Sequence, residues 1–321
     1  MLKKFDIADG VLNESSKDVS QVMVYINPDA EEKNQLVSRF KLDEHTLSSA
    51  LDPDEISRLE FEADHWALIV KRPKNYSSED QYLFKVSSLG MFMFRETLIL
   101  VCTDQFQMFE GKQFQHVASL TDIALRLLYR TSWHFLEHLK VINMISAEIE
   151  QKINASMENK FLLHMFSLEK GLVYYLNALN SNAIVIEKMK NSAAKLGLTV
   201  ENIEMVDDIV IENVQCLRQA EIYSNIITGL MDARGSIVNN NLNLLIKRLT
   251  MINIVFLPLN LIAGIGGMSE FSMMTRTMHW ALSFGMLAIC MVLLGLLTFR
   301  IVMKYTGERE ALFSAKKTRM R

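Results

Sequence analysis

The chain has 321 residues, half of them hydrophobic, with a mean hydropathy of +0.12 and a formal net charge of -3. That length allows two domains, and the hydropathy is high for a chain that lives wholly in water. The near-neutral charge offers no general attraction to a polyanion, so nucleic acid is not an expected partner. Cys102, Cys216 and Cys290 are scattered without ligand or disulfide spacing and read as reduced, small apolar residues.

The N-terminal MLKKFDIADG lacks the apolar core of a secretory signal, so it is expected to stay in the cytoplasm. Up to about residue 115 the apolar runs are short and strand-like. Examples are Val22–Ile26, Trp66–Val70 and Thr97–Cys102, bounded by turn signals such as Asn27-Pro28 and Lys74-Asn75. A cytoplasmic α/β domain over residues 1–115 follows. From Ser119 the period becomes helical, with Ser119 and Asp122 as a capping box and Ile123, Leu127, Arg130 and His134 opening a long face. Helices are expected over 119–154, 158–194 and 200–265. No proline lies between residues 74 and 257 to interrupt them. Residues 116–248 thus form a helical domain and stalk, giving an α+β cytoplasmic part in all.

Two polar patterns lie in this helical part. His134, Glu137 and His138 spell H-x-x-E-H, a zinc-ligand spacing on one helix face, but no third ligand is identifiable and the pattern reads as part of the helical body. Glu201, Glu204, Asp207, Asp208 and Glu212 form an acidic run that by charge patterning is a solvated face. No nucleophile–base set or phosphate loop appears, so no enzyme is expected.

Hydrophobicity concentrates at the C-terminal end. Leu249–Met268 and Trp280–Phe299 are each 20 residues without a charge. As helices they would be about 30 Å long, the thickness of a bilayer's hydrocarbon core. Transmembrane helices over 249–268 and 280–303 are therefore expected, joined by an outer loop, 269–279, and followed by a basic tail, 304–321. Trp280 and Tyr305 sit near opposite ends of the second span, as interfacial aromatics do. Lys247 and Arg248 precede the first span, and Arg300, Lys304, Arg309, Lys316, Lys317, Arg319 and Arg321 follow the second, while the loop holds Arg276 beside Glu270. The positive-inside rule puts both termini in the cytoplasm of an inner-membrane protein.

Asn253 and Asn260 lie seven residues apart on nearly one face of the first span. The same stripe takes in Asn239, Asn243, Ile246, Leu249 or Thr250, Leu257 and Gly264. An amide in hydrocarbon is costly unless it has a partner or meets water. One reading is a helix–helix contact joined by amides. The other is the lining of a pore formed by several copies, with asparagine rings against hydrated ions and Ile246, Leu249 and Leu257 as apolar constrictions. The stripe's chemistry favours neither.

The order of long helix, basic pair, "LTMINIVFLPLNLIAGIGGM", short loop, second span and basic tail resembles the CorA family of divalent-cation channels. The family's Pro-Leu-Thr-x-Ile-Ala-Gly-x-Tyr-Gly-Met-Asn stands here as Pro258-Leu259-Asn260-Leu261-Ile262-Ala263-Gly264-Ile265-Gly266-Gly267-Met268-Ser269. Lys247-Arg248-Leu249-Thr250 resembles its Lys-x-Leu-Thr, and Asp52-Pro53 with Arg58-Leu59-Glu60 resembles its early Asp-Pro…Lys-Val-Glu. The resemblance implies a homopentameric funnel in the bilayer that passes divalent cations, magnesium foremost, and favours the pore reading of the stripe. A membrane-anchored oligomeric scaffold or sensor is the alternative. It also implies that Gly267, Met268 and Ser269 form the outer mouth, where the family's asparagine contacts hydrated magnesium. Here Ser269 offers a hydroxyl on a shorter stem, and Glu270 adds a carboxylate that attracts divalent ions of several kinds. Asp208 and Asp232 fall near the family's regulatory magnesium carboxylates. Met268, Met273, Met274 and His279 flank the loop; soft ligands of this kind favour zinc, cobalt or nickel, although methionine is also ordinary at interfaces.

Overall fold

The computed structural model describes residues 1–77, 80–155 and 160–318. It comprises two units, Met1–Asp232 and Ala233–Arg321. The expected helix start at 158, the side chain of Tyr305 and the basic side chains of the tail beyond it lie outside the described residues.

The first unit is built on a seven-stranded sheet in the order β2-β1-β3-β7-β6-β5-β4. The strands are β1 (Leu2–Ala8), β2 (Val11–Glu14), β3 (Val22–Ile26), β4 (Arg58–Phe61), β5 (Trp66–Pro73), β6 (Val86–Met93) and β7 (Leu98–Cys102). β3 and β7 run parallel, with Val22 opposite Leu98 and Ile26 opposite Cys102; every other pairing is antiparallel. Both central strands are buried at every position, which explains why they read as continuous apolar runs rather than alternating ones. Helices cover both faces. Met23, Tyr25, Ile99 and Val101 pack under α1 (Ala30–Phe40) and α2 (Glu44–Leu51). Val22, Val24, Leu98 and Leu100 pack under α3 (Leu120–Ala155), α4 (Lys160–Asn191) and the start of α6 (Val200–Gly266), which follows the short α5 (Ala193–Leu196). Asp29 and Glu32 form a reciprocal capping box at the start of α1. α2 lies so close to the sheet that a Cβ at Gly90 would meet Ala50 Cβ at 2.5 Å.

β5 carries two buried cations, and each is held. Lys71 Nζ donates to the Asp52 carbonyl at 3.0 Å, the Pro53 carbonyl at 2.9 Å and Ser88 Oγ at 2.7 Å. The Asp-Pro element noted in the sequence is thus tied to the sheet. Burial lowers Lys71 to about 8. Arg72 meets Asp104 at 2.5 Å and lies 3.8 Å from the Phe106 ring centroid. From α4, Asn182 accepts from Lys71 N at 2.8 Å and donates to Lys71 O at 2.7 Å, acting as one more rung of the ladder.

Further along α3, α4 and α6, Phe135, Leu139, Tyr175, Leu179, Cys216 and Ala220 form a second core. The H-x-x-E-H residues border it. The His134 and His138 rings lie 4.4 Å apart edge to face, and His138 Nδ1 shares a 2.6 Å hydrogen bond with Tyr175 Oη. Glu137 is exposed on the other side of the turn, so the three residues do not converge. Among the described residues no group of three or more His, Cys, Asp or Glu side chains is placed to hold a metal ion.

The second unit contains the remainder of α6, a short α7 (Ser269–Met274) and α8 (Trp280–Thr318). The connection between the spans therefore contains a helical turn and a half, where the sequence suggests only loop. α8 continues well past the second apolar run.

Burial disfavours the imidazolium form of both histidines, lowering His134 from 6.5 to about 3, with the neighbouring His138 adding to the shift, and His138 from 6.5 to about 4. The unfolded chain takes up these protons near pH 6.5 and the folded chain does not. Their neutral packing therefore contributes fully above that pH and is lost as pH falls towards 4. The slope approaches about 1.4 kcal/mol per pH unit for each ring. Urea midpoints measured from pH 7 to 4.5 should fall steeply in the native chain and less steeply in His134→Phe. Parallel profiles would show that the pair does not set the acid sensitivity.

Candidate ion-conduction site

α6 and α8 are long and apolar enough to cross a membrane, and none of either apolar stretch is buried in the protein. That separates them from core helices of a soluble domain, which pass the same length test but are covered. The hairpin they form commits one face of α6 to α8. Met251, Val255, Pro258, Leu259, Ile262 and Gly266 are partly covered, while the residues between them are exposed. Two glycines allow the approach. A Cβ at Gly266 would come within 2.6 Å of Leu287 Cδ2, and one at Gly295 within 3.5 Å of Leu259 Cδ1. This is the small-residue packing that membrane helices use.

The polar stripe lies on the other side. At about 100° per residue, Met251, Val255, Leu259, Ile262 and Gly266 point within about 40° of one direction. Ile246, Asn253, Leu257, Asn260 and Gly264 point within about 40° of the opposite one, with Asn243 and Leu249 about 60° to either side of it. All of these are exposed, including Ile246 at 52%, Leu249 at 61% and Leu257 at 71%. Asn243, Asn253 and Asn260 thus share a face with the candidate constrictions, and α8 covers none of it. Pro258 lies inside α6. Lacking an N–H, it leaves the Ile254 carbonyl without its helical donor, a weak point in the backbone ladder between Asn253 and Asn260 in sequence.

At the C-terminal end of α6 Gly267 N donates to the Ala263 and Gly264 carbonyls at 3.1 and 3.2 Å, closing the helix. Met268 is extended and caps α7, so Ser269 and Glu270 occupy the first turn of a new helix. Ser269 Oγ donates to Glu270 Oε2 at 3.2 Å. The hydroxyl and carboxylate therefore share one exposed place just beyond the last turn of α6. Met273 and Met274 are 76% and 84% exposed, His279 stacks on Trp280, and the Ser272 side chain lies outside the described residues.

The acidic run on α6 divides. Asp207 pairs with Lys190 of α4 at 2.7 Å, whereas Asp208 is exposed. Asp232 is exposed as well, but 24 residues separate it from Asp208 along one helix. That spacing is about 36 Å, so one chain cannot bring them to a common ion. The contact of Gly266 with Leu287 was not foreseen in the sequence, where the glycine stands out only as a departure from tyrosine. A glycine in an apolar span is nonetheless the one visible sign of a close helix approach.

Comparison with known proteins agrees with this architecture. Residues 22–304 match the family described as CorA-like Mg2+ transporter protein. The chain is 24% identical over 257 residues to the cobalt/magnesium transport protein CorA of Methanocaldococcus jannaschii, covering 76% of this chain and 78% of that one. It is similar to the complete CorA magnesium transporter structure from the same organism, with a TM-score of 0.77 at 20% identity, covering 94% and 96% of the two chains. The full-length CmaX structure aligns with a TM-score of 0.70 at 12% identity over 94% of this chain and 96% of that one. A sheet-containing N-terminal domain, a long helix leading to two apolar spans and a family match over most of its length together make this chain a member of the CorA-like Mg2+ transporter family.

Proposed function

We propose that several copies of this chain, five by the family resemblance, surround a pore lined by α6 and pass divalent cations across the inner membrane. The observation that carries this reading is the asparagine stripe on the face of α6 opposite α8. Amides on that face of a membrane helix need water or another copy of the helix as partner. The outer mouth is formed by Gly267, Met268, Ser269 and Glu270. Asn260, Asn253 and Asn243 are successive rings against hydrated ions, and Ile246, Leu249 and Leu257 are the apolar constrictions that oppose leakage. The spans are 249–268 and 280–303, with the loop 269–279 outside, the domains 1–115 and 116–248 and the tail 304–321 in the cytoplasm, and both termini inside. Magnesium is the favoured cargo, supported by the similarity to a cobalt/magnesium transport protein and a magnesium transporter. Zinc, cobalt and nickel compete for the mouth because a carboxylate beside a hydroxyl selects weakly among divalent ions.

Gating belongs to the cytoplasmic part. Asp208 and Asp232 of neighbouring copies take magnesium through its retained waters, and loss of those ions leaves like charges facing one another, which favours opening. The stripe also suits a non-conducting oligomeric anchor or sensor, in which the amides pair only with one another. Divalent flux into proteoliposomes decides between the two: absence of flux for any divalent ion under a gradient removes the channel reading.

Two substitutions test the pore. Leu257→Ala widens an apolar ring; a barrier lowered by only about 1.4 kcal/mol raises leak about tenfold. Unchanged magnesium flux in closed conditions would take Leu257 off the conduction path. At the mouth, Glu270→Gln should lower divalent flux and reduce competition by zinc, cobalt and nickel, and Ser269→Asn should sharpen the preference for magnesium. If Glu270→Gln leaves flux and competition as they were, the carboxylate does not select.

A further inference from the structure

At the basic end of the hairpin α6 and α8 enclose a crevice of about 450 Å³. Met251, Ile252, Val255 and Phe256 of α6 and Phe299 and Val302 of α8 line it, and Arg248 stands at its edge. The crevice has a packing origin. Towards the outer end the helices meet through Gly266 and Gly295, whereas here the facing side chains are bulky and two of them are phenylalanines. Its size falls within the roughly 300–1,000 Å³ range of small-molecule sites. Apart from Arg248 it offers no side-chain hydrogen-bonding group, so water has no partners in it and hydrocarbon is the natural filling.

Arg248 is exposed and, among the described residues, makes no ion pair or hydrogen bond. Lys247 precedes it, and Arg300 and Lys304 lie on the stretch of α8 that borders the crevice. From Ala233 to Lys304 the sole carboxylate is Glu270, at the far end of the hairpin; the next in sequence is Glu308. A guanidinium amid other cations, beside an apolar slot at membrane depth, matches an anionic phosphate joined to an acyl chain.

We propose that this crevice binds an anionic phospholipid of the cytoplasmic leaflet, its phosphate on Arg248 and one acyl chain between α6 and α8. The inference rests on the membrane orientation proposed above, but not on ion conduction.

The test uses the purified full-length chain in detergent, with lipid adducts counted by native mass spectrometry after adding phosphatidylglycerol or phosphatidylcholine. The native chain should retain phosphatidylglycerol in preference. Arg248→Gln should cut that retention about fivefold, the share expected of one basic residue near a lipid surface. Arg276→Gln, which removes a cation at the opposite end, should leave it intact. Ile252→Trp fills the crevice and should reduce retention of both lipids. A photo-crosslinking residue at position 252 should capture lipid. Equal retention in Arg248→Gln and the native chain, no preference for the anionic lipid, or full retention in Ile252→Trp would overturn the proposal. So would crosslinking from position 252 that yields only chain-to-chain products, since a second copy would then occupy the crevice. Because adducts are counted without a gradient, failure here leaves the channel reading standing, and absent flux leaves this result standing.

Discussion

The close approach of α6 and α8 decides most of what this protein can do in a membrane. Among the described residues neither apolar stretch is buried, so the packing of one against the other determines which side of the apolar part of α6 is spent on an internal contact. Gly266 against Leu287 and Leu259 against Gly295 bring the two backbones together. Once that face is committed, the asparagines at 243, 253 and 260 are left on the opposite side, where hydrocarbon would be a poor solvent for them. The same contact leaves the crevice near Arg248, because the glycines stop before the basic end of the hairpin.

The first unit solves a different problem, that of placing charge inside a sheet with helices on both faces. β5 buries Lys71 and Arg72 side by side, on opposite sides of the strand, and each finds its own set of acceptors. Buried cations held by specific acceptors fix geometry more than they add stability. Lys71 anchors the turn after α2, and Asn182 joins α4 to β5 through two backbone hydrogen bonds. These polar contacts position the helical layer on the sheet more specifically than apolar packing alone.

The proposed mouth, at Ser269 and Glu270, is where the sequence departs from the motif that the family resemblance implies. Ser269 has one hydroxyl on a short stem, and within one chain it is already engaged by Glu270. A carboxylate attracts divalent ions through charge, without the size and geometry demands that an ordered ring of amides imposes.

The sequence by itself determined the strand-rich N-terminal part, the long helices and the two apolar runs, because each rests on local information: apolar periodicity, the absence of proline, and charge-free stretches of bilayer length. It also marked the stripe, since residues seven apart share a helix face wherever the helix lies. It did not reveal α1 and α2, whose short patterns are weak, or the helical turns of α7, or that His138 is bonded to Tyr175, a residue 37 positions away. Only the tertiary structure decided which face of α6 is covered. Both faces of that span are apolar enough to pack, and the choice depends on where Leu287 and Gly295 fall when the chain folds back.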